Sequence, residues 1–244
     1  MGGERTACLR RAVRVDGESR STVIIELGTS DDYRCLAAFH YRSGPPATVA
    51  RVLRAVDVGA DGQLAGVLVV SYPALWGTWR RAVWPGRFET GDLSTDARLI
   101  NRDIRAISRV VVDPRYRGLG IAAGLVRTYL ANPCTPLTEA VTSMGRWCPF
   151  FQAAGMTPHE LAIPRRDRDL MAVLSRARIR PWQLLDAATA RRAARMPSLR
   201  RAFEHWHRRG REITRRGADR RPWEIAMLAG AALSARPIAY SHGH

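Results

Sequence analysis

With 244 residues, 46% hydrophobic and 25% charged, the chain reads as a soluble globular protein able to bury a substantial core, most simply as two units. No stretch approaches the roughly 18 to 20 uninterrupted apolar residues of a membrane span, and no apolar run follows Met1-Gly2-Gly3-Glu4-Arg5, so neither a membrane segment nor a signal peptide is expected and a cytoplasmic location is the default. The net charge is +17, and all 39 basic residues are arginine.

A GC-rich coding bias is reason enough for choosing Arg over Lys. The excess over acids is a separate matter: a guanidinium keeps its proton and grips phosphate through a bidentate fork, which suits phosphate-bearing cofactors or polyanionic partners. Residues 165–244 carry 19 Arg against 7 acids, a balance of +12, whereas residues 1–164 carry 20 against 15, or +5. Cys8, Cys35, Cys134 and Cys148 lie far apart without a CxxC pair, which argues against a zinc site. They read as free thiols, with Cys148 either a small semi-buried hydrophobe or a nucleophile. No metal is expected.

In chain order, Thr22 to Leu27 is a β-branched strand, and Ser30-Asp31-Asp32 offers an N-cap for a helix running to Phe39. Val49 to Val58 and Gln63 to Tyr72 flank Gly59-Ala60-Asp61-Gly62 and predict an antiparallel hairpin. Pro73 to Asn101 reads as loop with some helix. Ile104 to Val112 predicts a strand that enters Asp113-Pro114, a Gly-rich turn and a helix from Ile121 to Leu130. A strand over Glu139 to Met144 follows, then a short helix from Pro149 to Ala154 ending at Gly155. A boundary falls at Ile163-Pro164-Arg165-Arg166-Asp167-Arg168. Beyond it Pro181, Pro197 and Pro222 mark three helix starts in a mostly helical, basic extension over 165–244.

A strand feeding a turn with two glycines that opens a helix sets unpaired N–H groups at the positive end of the helix dipole, and a pyrophosphate suits that place. The turn is neither a P-loop nor GxGxxG. The run Val110-Val111-Val112-Asp113-Pro114-Arg115-Tyr116-Arg117-Gly118-Leu119-Gly120-Ile121-Ala122 resembles the signature of the GNAT acyltransferases, a strand followed by [QR]-x-x-G-x-[GA]. Pro149-Phe150-Phe151-Gln152-Ala153-Ala154-Gly155-Met156 is similar to that family's F-Y-x-x-x-G-F ending. The resemblance covers about residues 20–160. It implies an α/β domain at 15–164 with a mixed, mostly antiparallel sheet flanked by helices. It also implies an acyl-CoA cofactor, acetyl-CoA first. The pantetheine arm would lie along Val110, Val111 and Val112, and the pyrophosphate against Arg115, Arg117, Gly118, Leu119, Gly120 and Ala122. The acceptor would be an amine, small or macromolecular. Where many members have a Tyr able to protonate the leaving thiolate, this sequence has Phe151.

On the acceptor side, His40 is the leading general base and Tyr41 a substitute acid, or the two are an aromatic pair packing a helix end. Arg109 interrupts an apolar strand and needs a carboxylate or a ligand anion. Glu139, sharing a strand face with Ser143, either pairs with Arg109 or acts as a base. Arg146 and Trp147 stand at that strand's exit, where an acceptor could meet them. His40-Tyr41-x-Ser43-Gly44-x-Pro46, Gly66-Val67, Ile107-Ser108-Arg109 and the Gln152-Ala153 segment also resemble the phage Mom-type DNA modification proteins, a GNAT branch, which implies catalytic roles for His40, Tyr41 and Arg109. In the extension, Leu199, Phe203 and Trp206 fall on one helical stripe that packs against the acyltransferase core or stacks on bases. The arginines then form a solvated face, a nucleic-acid face or a dock for an acidic protein. A non-catalytic binding module is the remaining alternative.

Overall fold

The computed structural model describes residues 11–14, 22–40, 44–77, 79–210 and 220–243. Its strands are β1 (Arg11–Arg14), β2 (Thr22–Leu27), β3 (Arg51–Asp57), β4 (Gln63–Ser71), β5 (Ile104–Val112), β6 (Leu137–Thr142), β7 (Thr157–Glu160) and β8 (Ile238–His242). Its helices are α1 (Ser30–Leu36), α2 (Arg80–Val83), α3 (Leu93–Asp103), α4 (Ile121–Ala131), α5 (Phe150–Ala153), α6 (Arg165–Arg176), α7 (Ala187–Arg195), α8 (Pro197–Arg208) and α9 (Pro222–Ser234). The chain divides into two compact units, residues 1–160 with 238–244, and residues 161–237.

The first unit is an α/β fold around one sheet in the order β1-β2-β3-β4-β5-β6-β8-β7. Every neighbouring pair is antiparallel except β5 with β6. Its central strands alternate between two apolar layers, as a period of two demands. On one face Leu53, Ala55, Leu68, Val70 and Ile107 pack against Ile121, Leu125, Val126 and Tyr129 of α4. On the other, Val52, Val67, Val69 and Val111 meet Tyr33 and Leu36 of α1. Gly66 sets how close α4 comes to β4, because a Cβ there would stand 3.1 Å from Ile121 Cγ2 and 3.3 Å from Leu125 Cδ1.

Some elements follow the sequence reading and others depart from it. Pro73–Asn101 holds α2 and most of α3, whose start is set by Asp92: its carboxylate accepts from the Ser94 and Thr95 N–H groups at 3.2 and 2.9 Å. Hydrogen bonds from Thr95 first, then Ser94, hold that carboxyl down at about 2. Helix α1 is capped by Thr29, one residue before Ser30, and the Asp32 carboxylate accepts from the Thr29 N–H at 2.6 Å. The strand expected over Glu139–Met144 begins and ends two residues earlier, because the chain turns at Ser143. Three strands, β1, β7 and β8, were not expected from the sequence. Residues 238–242, read as part of the helical extension, lie in the sheet between β6 and β7.

The second unit is helical, with a core of its own: Leu170, Leu174, Leu184, Leu199, Phe203, Trp206, Ile225 and Ala229. The stripe Leu199, Phe203 and Trp206 is thus buried inside this unit, and it is not offered to a base. The Trp206 Nε1–H donates to Asp167 Oδ1 at 2.6 Å, giving the buried indole its partner. No described helix is long and apolar enough to cross a membrane.

Gly66 carries the first prediction. Gly66→Ala adds a methyl group to the tight β4–α4 contact and should lower unfolding free energy by about 1–3 kcal/mol, read in urea denaturation. An unchanged midpoint would mean that α4 shifts freely on the sheet.

Candidate active-site cleft

Strand β5 is a ladder on one edge and half a ladder on the other. Its pairing with β4 runs from Ala106 to Val112, but the register slips so that Val69 faces Arg109 and Val70 faces Ile107. Ser108 is the extra residue of this β-bulge. Its hydroxyl lies 2.7 Å from Ser71 Oγ and donates to the Val69 carbonyl at 3.2 Å, which pins the bulge. A bulge bends its strand and increases the local twist. On the opposite edge, parallel pairing with β6 stops at Ile107 and Ala140. Beyond that point β6 stays with β8 through Thr142 while β5 stays with β4, and the sheet parts.

The parting opens a cleft of about 710 Å³. Its β5 wall is Ile107 to Val112, its other wall includes Val141, Thr142 and Met144, and its far end is Arg117, Gly118, Gly120 and Ala122. Because β5 has no strand partner on that side beyond Ile107, the backbone of 108–112 offers donors and acceptors to an extended ligand, as a sheet edge does.

The turn at the end of β5 is held from behind. The Asp113 carboxylate accepts from the Arg115 N–H at 2.9 Å and from its guanidinium at 2.8 and 3.0 Å. The Arg115 hydrogen bond holds the Asp113 carboxyl below the usual range. A depressed carboxyl contributes stability that is full above its ordinary value of about 3.9 and is lost as pH falls through the depressed one, so the pair is complete at neutral pH. Tyr116 is buried and donates to Asp57 at 3.1 Å, while the Gln63 amide donates to its hydroxyl at 3.2 Å. Burial, then Asp57, pushes the Tyr116 phenol up. Gly118 and Gly120 have φ of +83° and +74°, a region closed to most side chains, with open space where a Cβ would stand. Gly120 is the N-cap of α4, so the N–H groups of Ile121, Ala122 and Ala123 have no carbonyl one turn earlier and point toward the cleft end.

Of the residues expected on the cofactor side, Val110, Val111, Val112, Arg117, Gly118, Gly120 and Ala122 line the cleft. Arg115 is turned back onto Asp113, and Leu119 packs toward the core beneath α4. On the acceptor side, His40 and Arg109 line the cleft and Tyr41 lies outside the described residues, as does Ser43. The Arg109 Nη1 donates to the Ser108 carbonyl at 2.8 Å, while its Nε is buried without a hydrogen-bond partner among the described residues.

Glu139 corrects the expectation of a partner for Arg109. Its carboxylate accepts from Arg80 Nη2 at 2.6 Å and Nε at 2.8 Å, with both side chains at most 7% exposed. Arg80 is also tied to the Ala74 and Leu75 carbonyls at 2.6 and 3.2 Å. Glu139 is held in this ion pair and is not among the residues that line the cleft. Ser143 stands in the turn after β6 and does not share a strand face with Glu139. Arg146 pairs with Glu160 at 3.2 Å, and Trp147 is 78% exposed.

Phe39, Ser108 and Thr142 belong to the cleft and were not expected as site residues, and Cys148, which the sequence offered as a nucleophile, lines it as well. Phe151 is buried against Phe150 and Tyr240, with ring centroids 4.4 and 5.1 Å away. Cys35, Cys134 and Cys148 are free thiols, and no group of three or more His, Cys, Asp or Glu able to hold a metal occurs among the described residues.

Removing one member of the Arg80–Glu139 pair leaves a buried charge without its partner. Glu139→Ala should cost about 3–5 kcal/mol in denaturant unfolding. The double variant with Arg80→Met should recover part of that loss, and failure to recover any would show that the two charges are not coupled.

No protein-family model matches the chain, and no curated protein matches it. Among solved structures the chain is similar to the acetoin utilization protein from Exiguobacterium sibiricum, with 12% identity, a TM-score of 0.39, and coverage of 65% of this chain and 80% of that one. It is similar to mutant forms of the spermidine/spermine N-acetyltransferase SpeG from Vibrio cholerae, with 10% identity, a TM-score of 0.37 and coverage of 57% and 82%. Nourseothricin acetyltransferase gives 16% identity, a TM-score of 0.33 and coverage of 57% and 85%.

Proposed function

We propose that the first unit is a GNAT-type acyltransferase that moves an acyl group, acetyl first, from CoA to an amine or similar nucleophile. One observation carries the reading: β5 parts from β6 after the Ser108 bulge and runs, with a bare edge, straight into the Gly118–Gly120 turn and the N-terminus of α4. An extended amide-bearing arm meets the requirements of the edge, and a pyrophosphate those of the helix start, where the dipole and the Arg117 charge favour an anion. The residues present therefore fit an acyl-CoA.

In the reaction, the amine nitrogen attacks the thioester carbonyl, the N–C bond forms, the C–S bond breaks and sulfur takes the electron pair. His40, on the cleft wall, is assigned to take the amine proton. The buried Arg109 Nε–H is a donor that a ligand oxygen in the cleft would complete. Phe151 lines the cleft but has no proton to give, so it takes no part in acid catalysis. A nucleic-acid-modifying version of the same chemistry differs in its acceptor; its support is the Mom-type resemblance, two of whose residues, His40 and Arg109, line the cleft.

Calorimetric titration of acetyl-CoA into the full chain tests the reading. Gly118→Ala and Gly118→Glu share a backbone strain of about 1–2 kcal/mol, but only Glu sets a carboxylate against the phosphates. Gly118→Glu should weaken binding at least about tenfold beyond Gly118→Ala. Absence of binding by the parent protein would remove the CoA assignment. His40→Gln should leave acetyl-CoA affinity unchanged and lower kcat by a factor of about 10² to 10⁴ once an acceptor is in hand, read as a rate against pH.

A further inference from the structure

The second unit presents a surface that the cleft chemistry does not use. Residues 187–210, comprising α7, Met196 and α8 to the chain beyond it, contain seven arginines and one acid, Glu204. All seven arginines are exposed. Their separation from the apolar residues is complete: Ala190, Ala193, Leu199, Phe203 and Trp206 are at most 1% exposed and fill the unit's own core. The helical period therefore sorts this stretch into one dry stripe and one cationic face.

Few of these charges are satisfied within the protein. Arg200 pairs with Glu204 at 3.0 Å, Arg209 reaches Asp169 only at 3.8 Å, and Arg191 lies over the Trp223 ring at 4.9 Å. Arg192, Arg195, Arg201 and Arg208 have no carboxylate within ion-pair distance among the described residues. A single residue, Met196, joins the end of α7 to the start of α8, so Arg191, Arg192 and Arg195 are followed at once by Arg200 and Arg201. Like charges gathered on two adjoining helices repel one another, and the arrangement gains stability when an anion with several closely spaced charges lies across it.

We infer that this α7–α8 face docks the phosphate backbone of a nucleic acid. Its composition separates that partner from the other polyanions. A protein interface needs an apolar centre, and an amphipathic membrane-surface helix needs apolar side chains to insert. Between 187 and 210 the sole large hydrophobic residue with substantial exposure is Met196, at 43%. Nucleic-acid interfaces are polar and strongly cationic, and their affinity comes from counterions released as guanidinium groups meet phosphates. The face carries no arrangement for reading bases, so binding is independent of sequence. This inference does not rest on the acyltransferase reading.

The test is fluorescence anisotropy of the full chain with a labelled DNA duplex of about 20 base pairs, over about 50 to 200 mM salt. The variant with Arg192, Arg195, Arg201 and Arg208 all changed to Gln should bind at least about tenfold more weakly and reduce the log–log salt slope by about 3 to 4. A control with Arg34, Arg81, Arg98 and Arg127 changed to Gln removes the same charge from the first unit and should change the slope by less than about one. Replacing the four α7–α8 arginines by Lys keeps the charge, so it should keep the slope and separates charge from folding defects, with circular dichroism melts run beside each variant. Equal losses in the two Gln variants would overturn the inference in favour of net charge alone. Polyglutamate or phosphatidylserine vesicles binding as tightly as the duplex at matched charge would overturn it in favour of an acidic protein or a membrane surface.

Discussion

The parting of β5 from β6 is the constraint on which the rest of the first unit depends. A continuous sheet would satisfy the backbone of 108–112 internally and leave nothing for a ligand. Ser108 prevents this by adding one residue to β5 opposite β4, and its two hydroxyl contacts keep the slip at that position. Four residue pairs, Ile104–Ile107 with Leu137–Ala140, hold the two wings together below the parting. Above it, each wing needs its own reinforcement, and each has one: β4 carries β5, and β8 carries β6.

The charges around the cleft follow from the same division. Arg80 and Glu139 are buried together beside the joined part of the sheet, where either charge alone would lack its partner. Asp113 takes Arg115 and so stiffens the turn, leaving Arg117 on the cleft wall. Arg109 sits where the strand has just lost its neighbour, which is where a buried donor without a partner can be tolerated if a ligand oxygen arrives. The arginines held in ion pairs and those lining the cleft are therefore distinguished by what stands opposite them.

Much of this was legible in the sequence, and the reasons are specific. β5 coincides with the apolar run from Ile104 to Val112, and the turn was visible because two glycines at a strand-to-helix junction meet a backbone need that other residues do not. Proline's fixed φ marked the starts of α8 at Pro197 and α9 at Pro222, while Pro181 opens a short 3-10 helix, Pro181–Leu185. The partner of Glu139 was not legible, since Arg80 lies 59 residues earlier in a tryptophan-rich stretch with no strand pattern. The bulge left no mark beyond a serine in an apolar strand. β7 contains Pro158, and β8 is five residues long after a helical stretch, so neither offers a period long enough to read. The stripe of α8 was visible, but sequence spacing does not say which core it enters.

The position of β8 in the sheet has a consequence for how the molecule can be made. Every residue that lines the cleft lies between Phe39 and Ala153, yet the strand that pairs with their outer wall begins at Ile238. A ribosome that has released the first 160 residues has delivered the whole lining and only half of the support, and the entire helical unit must emerge before β6 finds its neighbour. Until then β6 and β7 expose strand edges that invite pairing with other chains. A fragment cut after Glu160 would keep the cleft-lining side chains and lose the strand that supports their outer wall.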